Sequence, residues 1–256
     1  MVTDWRQPRV EMWPFNFCPL IADGKFLIGW GSTIYKILDA FCCAGGGRGY
    51  WSAGFEVVGV DIKHQPNYPF EFIQGDAVEF IREHGHKFDA VHASPPCQAD
   101  CTLNLGTNQG KFDHPQLIPE TRKALERSGR PYVIENPPGK APMRRDLMLC
   151  GEMFGLAVIR HRNFELGGWM TASPLHPRHR GKVAGWNHGK WQDGPYFAVY
   201  GNGGGKGSVK QWQDAMGINW TTERKELAEA IPPAYTQYIG QKLIETLNRS
   251  YFKQAV

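Results

Sequence analysis

The chain has 256 residues, 41% of them hydrophobic, and a formal net charge of +4. That length suits one sizeable core with a small appended lobe. No apolar run reaches the roughly 18 residues of a membrane span. Glu11, Pro14 and Pro19 interrupt the region where the apolar stretch of a secretory signal would stand. The six cysteines (18, 42, 43, 97, 101 and 150) lack the paired spacing of a disulfide framework, so free thiols in a reducing cytoplasm are expected.

Residues 1–33 carry Trp5, Trp13, Phe15, Phe17 and Trp30 without a clear period, and they read as an extension packing on the core. From Ile34 onward, strand and helix patterns alternate. Ile34–Ala40 reads as a buried strand, followed by the glycine-rich turn Ala44-Gly45-Gly46-Gly47-Arg48-Gly49 and a short helix. Glu56–Val60 reads as a second strand ending at Asp61, and Ala77–His84 as a helix. Phe88–Ala93 is a predicted strand running into Ser94-Pro95-Pro96-Cys97, and Pro115–Ser128 a predicted helix. Pro131–Ile134 is a predicted strand ending at Glu135-Asn136-Pro137-Pro138. Pro233–Leu247 reads as an amphipathic helix opening on a proline pair. Such alternation predicts a doubly wound, mostly parallel α/β sheet. Ligands in such sheets bind at the carboxyl ends of the strands, where all of these motifs fall.

Gly167–Lys210 breaks the rhythm. It holds many glycines, Trp169, Trp186 and Trp191, and six basic side chains (Arg178, Arg180, Lys182, Lys190, Lys206, Lys210) against the single acid Asp193. This predicts a small inserted lobe, residues 167–210, within a main domain of residues 34–166 and 211–256, with the three tryptophans mostly packing the lobe's core. Its local positive excess suits a polyanionic partner. His176, His179 and His188 lack nearby cysteines at zinc-finger spacing, so the expectation is surface or partner-facing histidines and no metal.

Asp39-Ala40-Phe41, the glycine-rich turn and the acid Asp61 after the next strand form the layout of a nucleotide-type cofactor site. Glycines let the backbone approach a ligand closely, and the acid accepts hydrogen bonds from ribose hydroxyls. NAD is the rival ligand, although G-x-G-x-x-G is not cleanly present. A turn that merely closes a βαβ unit is the plainer reading. Asp76 is a second acid, able to reach an adenine amine or to cap a helix.

The sharpest signal is Ser94-Pro95-Pro96-Cys97-Gln98. Two prolines fix the backbone and hold the next side chain in one direction. A cysteine there implies covalent chemistry rather than stacking on a base. A thiolate added at carbon 6 of cytosine breaks the ring's aromaticity and turns carbon 5 into a nucleophile. Charge then builds on the ring at N3, and Glu135 is the candidate to meet it. Arg160 and Arg162, two residues apart, share a side if extended, and could hold the base carbonyl, a phosphate or Glu135.

In this order the motifs closely resemble the cytosine-carbon-5 DNA methyltransferase family, particularly its short phage-type members, over about residues 34–166 and 213–243. The resemblance implies S-adenosylmethionine as cofactor and a flipped-out cytosine in double-stranded DNA as substrate. It implies a catalytic set of Cys97, Glu135, Arg160 and Arg162. Asp39-Ala40-Phe41-Cys42-Cys43-Ala44-Gly45-Gly46-Gly47 is similar to the family's first motif, so Asp39, Phe41, Cys43, Ala44, Gly45 and Gly46 are expected at the cofactor, Phe41 stacked on its adenine. Asp61, Ile62, Asp76 and Pro95 are expected there too, with Glu229 and Ala230 from Ala228–Pro233, which resembles the final motif and folds back onto the cofactor. Gly167–Lys210 then looks like a very short target recognition domain, with Arg178, Arg180, Lys182 and Lys190 on DNA. The sequence departs from the family at Cys43 (usually glycine), Pro137 (usually aliphatic), Val158 (usually glutamine) and Glu229 (usually asparagine). A monomer without a metal, in the cytoplasm of a bacterium or phage-infected host, is expected. An RNA cytosine-5 methyltransferase of the same fold, or a catalytically weak DNA-binding module, shares these motifs.

Overall fold

The computed structural model describes residues 34–96, 116–187, 190–201 and 207–254. The expectations placed on residues 1–33, on Cys97 and Gln98, on His188 and on Lys206 lie outside the described residues.

Seven strands form one sheet: β1 (Lys36–Ala40), β2 (Glu56–Asp61), β3 (Glu71–Gln74), β4 (Ala90–Ala93), β5 (Tyr132–Asn136), β6 (Leu147–Leu149) and β7 (Arg162–Gly167). Their order is β3-β2-β1-β4-β5-β7-β6. The first five pair in parallel, while β7 runs antiparallel to both β5 and β6. Parallel strands are covered on both faces, which explains the nearly unbroken apolar runs of β1 and β2. On one face Ile37, Val57, Ala90 and Val133 pack against Tyr50 of α1 (Arg48–Ala53) and Tyr235, Ile239 and Leu243 of α6 (Pro233–Gln254). On the other, Leu38, Val58, Val91 and Ile134 meet Val78 and Ile81 of α2 (Ala77–His84) and Ala124 and Leu125 of α3 (Ile118–Ser128). A third cluster gathers around Trp212 of α4 (Val209–Met216) and Leu227 of α5 (Arg224–Glu229). Within the predicted lobe, β8 (Gly185–Asn187) and β9 (Lys190–Gln192) form a separate antiparallel pair. Among the described residues no helix is long and apolar enough to cross a membrane.

The mixed α/β architecture and the helix Ala77–His84 match expectation. The expected strand at Ile34–Ala40 begins at Lys36, leaving Ile34 exposed. Phe88–Ala93 shortens to Ala90–Ala93, because the Phe88 amide closes a tight turn on the Gly85 carbonyl. The strand expected at Pro131–Ile134 runs instead over Tyr132–Asn136, since Glu135 and Asn136 pair with Phe164 and Asn163 of β7. The helix expected at Pro115–Ser128 starts at Ile118, and the last helix extends to Gln254 rather than Leu247.

Strand order reverses between β1 and β4, which opens a crevice at their carboxyl ends. The final segment closes on that end. A Cβ on Gly49 would lie 2.0 Å from the Pro233 carbonyl oxygen, so α1 meets the start of α6 backbone to backbone. The Thr236 hydroxyl donates to the Gly46 carbonyl at 2.5 Å.

Candidate active site

The loop leaving β1 is held in an unusual conformation. Among the described residues, three that are not glycine have positive φ: Phe41 (58°), Cys43 (45°) and Arg160 (30°). All three were singled out by sequence. Such backbone costs on the order of 1–3 kcal/mol per residue and persists only where surroundings enforce it. Here the enforcing contacts are visible. The Asp61 carboxylate accepts the Cys43 amide at 3.1 Å and the Lys63 amide at 3.0 Å. The Trp220 indole donates to the Ala44 carbonyl at 2.7 Å, and the Gly45 amide donates to the Cys42 carbonyl at 2.9 Å. Phe41 is half-buried against the α2 side of the sheet, whereas Ile62 stands 65% exposed beside Asp61. Glu229, exposed, lies close enough to Cys43 to raise its thiol pKa, after burial and Asp61. Ala230 is buried in the α4–α5 cluster, and its neighbour Ile231 packs on Gly46. Asp76 caps α2, accepting the Glu79 amide at 2.9 Å.

A row of polar groups crosses the sheet on the α1–α6 side. Gly59, Asp39 and His92 are in register on β2, β1 and β4, and share a face by the two-residue period of strands. Asp39 is buried and accepts the Tyr68 hydroxyl at 2.9 Å. Burial pushes its carboxyl up to about 7, against the pull of hydrogen bonds from Tyr68 and the Gly47 amide. Gly59 makes room for Tyr68, since a Cβ there would lie 2.4 Å from the tyrosine ring. A glycine inside an otherwise apolar strand is the sequence signal for such an approach.

His92 is fully buried and links two hydroxyls, Tyr50 at Nδ1 and Ser94 at Nε2, each at 2.9 Å. Burial lowers its pKa to about 3, so the ring is neutral near pH 7. Ser94 in turn hydrogen-bonds Glu135. The consistent assignment has Tyr50 donating to Nδ1, Nε2–H donating to Ser94, and Ser94 donating to the carboxylate. A histidine amid Ala90-Val91-His92-Ala93 is the signal that marked this chain.

Glu135 and Arg162 form the buried ion pair at the end of β5 and the start of β7, with Arg162 Nε 2.8 Å from Glu135 Oε1. Burial raises the Glu135 pKa, and Arg162, Arg160 and Ser94 only partly offset this. The neighbouring Asn136 side chain donates to the Pro95 carbonyl at 2.9 Å, fixing the buried first proline of the Pro-Pro pair. Glu135-Asn136 therefore positions an acid and, through Pro95, the entry to Cys97.

Arg160 and Arg162 both line one cleft and both act on Glu135, but their direct partners differ. The positive φ of Arg160 breaks the extended path before β7 begins. Arg160 donates to the carbonyls of Val199, Ala228 and Ala230 at 2.5–2.8 Å, tying the lobe's exit and the final motif to β7. Of the three partners open to the pair, Glu135 is met directly by Arg162, and the charge of Arg160 also lies near enough to lower its pKa. A cleft of about 500 Å³ opens beside them, lined by Pro137, Arg160 and Arg162 and by Val183, Tyr200 and Lys225.

The lobe departs from expectation at Trp169, and Arg180 has partners within the chain. Arg180 pairs with Glu152 at 2.9 Å, donates to the Leu156 carbonyl and lies over the Tyr196 ring. With these contacts in place the Arg180 side chain is still 52% exposed. Trp169 is buried in the main core, its indole donating to the Tyr132 carbonyl at 3.0 Å, rather than in a core of the lobe's own. Arg178, Lys182 and Lys190 are exposed.

No protein-family sequence profile matches the chain, and no curated protein is similar to it in sequence. Solved structures are similar in fold. A DNA modification methyltransferase encoded within an E. coli prophage matches with a TM-score of 0.55 at 13% identity, over 84% of this chain and 99% of its own. This is the methyltransferase fold. The S. pombe Dnmt2 methyltransferase matches with a TM-score of 0.56 at 12% identity, over the same shares of the two chains.

Proposed function

We propose that the protein is an S-adenosylmethionine-dependent DNA methyltransferase that methylates carbon 5 of cytosine through a covalent Cys97 adduct. The observation that carries this reading is the convergence at the ends of β4, β5 and β7. A buried carboxyl of raised pKa, Glu135, is paired with Arg162, and the adjacent Asn136 pins the Pro-Pro turn that leads into Cys97.

The crevice residues suit the cofactor. Asp61 has lone pairs beyond the two amides it accepts, enough for ribose hydroxyls. Exposed Ile62 and half-buried Phe41 offer apolar surface to an adenine. The bound cofactor supplies an electrophilic methyl group. Asp76, engaged as a helix cap, retains acceptor capacity for an amine, and Glu229 faces the same loop.

The Cys97 thiolate adds to carbon 6 while Glu135, in the protonated form its raised pKa favours, gives its proton to N3 and is left as the carboxylate that Arg162 and Ser94 hold. Arg162 keeps the carboxyl oriented, while the Tyr50–His92–Ser94 chain supports its other side. After methylation the carbon-5 proton leaves to solvent, the thiolate is expelled and N3 returns its proton to Glu135, restoring the aromatic ring and the free cysteine. Arg178, Lys182 and Lys190 then face the phosphates, and the cleft beside Arg160 and Arg162 receives the extruded base.

The test is direct. Unmethylated DNA and RNA are each incubated with protein and methyl-labelled S-adenosylmethionine, digested to nucleosides and analysed by mass spectrometry. Label in 5-methyldeoxycytidine is expected. Label in an exocyclic amine would overturn the carbon-5 assignment, label in RNA alone would move the substrate, and no label in either would remove the activity.

A further inference from the structure

We propose that Cys150, His161, His176 and His179 form a closed, structural zinc site that fastens the start of the lobe to the β6–β7 edge. Their ligand atoms all lie within 4.8 Å of one another. Sequence spacing conceals this group. Cys150 follows β6 and His161 precedes β7, and the antiparallel register that pairs Leu149 with Arg162 brings them together. His176 and His179 arrive from the segment after β7. Finger spacing is missing because the cysteine comes from a sheet edge, distant in sequence from His176 and His179.

The distances suit a tetrahedral ion. With Zn–N near 2.05 Å and Zn–S near 2.3 Å, ligand atoms around zinc stand about 3.3 Å apart for two nitrogens and about 3.6 Å for nitrogen and sulfur. His161 Nε2 and His176 Nε2 are 3.1 Å apart, and Cys150 Sγ and His179 Nε2 are 3.4 Å apart. His176 Nδ1 lies 2.8 Å from the Pro177 carbonyl. Donation there places the His176 lone pair on Nε2, the atom turned toward the cluster, as orienting bonds do for metal-bound imidazoles. One thiolate with three imidazoles selects a borderline-soft transition ion over magnesium or calcium, which take oxygen ligands. Zinc binding displaces the Cys150 thiol proton, now directed at the Ile159 carbonyl, to solvent.

Four protein ligands leave no open position, so the ion's work is structural. His161 stands between Arg160 and Arg162. Clamping it fixes the short segment that sends one guanidinium to the final motif and the other to Glu135. The proposal does not rest on the methyltransferase reading, and metal occupancy is measured without turnover.

The full chain, produced in zinc-supplemented medium and purified without chelator, is expected to carry close to one zinc per molecule by elemental analysis. Replacement with cobalt is expected to give the intense visible bands of a tetrahedral site and an ultraviolet sulfur-to-cobalt band. Cys150→Ser should remove the latter. Cys150 is fully buried, so its substitution can also disturb folding. His176 is exposed, and His176→Ala should keep the chelated protein's melting temperature while weakening zinc binding about a hundredfold. Zinc added back to the chelated proteins should raise the wild-type Tm by about 5–10 °C and leave His176→Ala nearly unmoved. Purification with negligible transition metal, no cobalt bands and identical zinc responses in the two proteins would overturn the site, reducing the cluster to hydrogen-bonded side chains.

Discussion

Asp39→Asn probes the polar row beneath the proposed cofactor loop. The carboxyl is buried, and its pKa stands at about 7 against an ordinary 3.8. A group of raised pKa binds its proton more tightly in the folded state, so stability declines as pH rises from the unfolded value toward the folded one. The whole displacement corresponds to about 4 kcal/mol, at roughly 1.4 kcal/mol per pH unit. About 3 kcal/mol of this falls between pH 5 and pH 8. Asparagine does not titrate and can still accept from Tyr68, so the variant should lack this part of the slope. Urea unfolding of both proteins across pH 5–8 measures the difference. Wild-type stability should fall relative to Asp39→Asn by that amount, a shift in relative midpoint of about 1 M urea for a chain of this size. A cationic cofactor favours ionised Asp39, so wild-type affinity for S-adenosylmethionine should also rise over this range. Parallel stability curves for the two proteins would refute the argument, because the buried proton would then not exist.

Other consequences follow from the same site. Arg162→Ala removes the partner of a buried carboxylate, and a loss of about 3–5 kcal/mol is expected in chemical denaturation. Glu135→Gln should slow methyl transfer far more than it weakens DNA binding, as measured by single-turnover rates beside equilibrium titration. Because burial raises the Glu135 pKa, wild-type single-turnover rates should decline as pH rises through that elevated value, and the Gln variant should not show this limb. His92→Phe should cost about 1–3 kcal/mol by stranding the Tyr50 hydroxyl. Restoration of wild-type stability by adding Tyr50→Phe checks that explanation.

The parallel half of the sheet was legible because each buried strand ends in a motif with local chemical meaning. Asp39, Asp61 and Glu135 all stand at carboxyl ends facing one crevice. The antiparallel edge was not legible: Leu147–Leu149 is three residues long, and Arg162–Gly167 mixes charge with apolar residues because Glu165 is buried between Arg122 and Arg144. The two arginines were legible as a pair, but local spacing cannot report the positive φ at Arg160 or the carbonyls it grips. The Arg180–Glu152 pair was not legible, because nothing near Arg180 in sequence announces Glu152. His92, Tyr68 and the Cys150 cluster depend on register between distant segments, which periodicity does not carry.

Covalent trapping tests the central claim most directly. Duplex DNA carrying 5-fluorocytosine at a methylated site is incubated with the protein and S-adenosylmethionine, then denatured and digested for peptide mass spectrometry. Fluorine cannot leave carbon 5 as a proton does, so the adduct should persist, with the nucleotide attached at Cys97. Cys97→Ser should give no adduct while retaining cofactor affinity. A fully active Cys97→Ala protein, or methylation of ordinary cytosine with no trapped complex on the fluorinated base, would contradict the account.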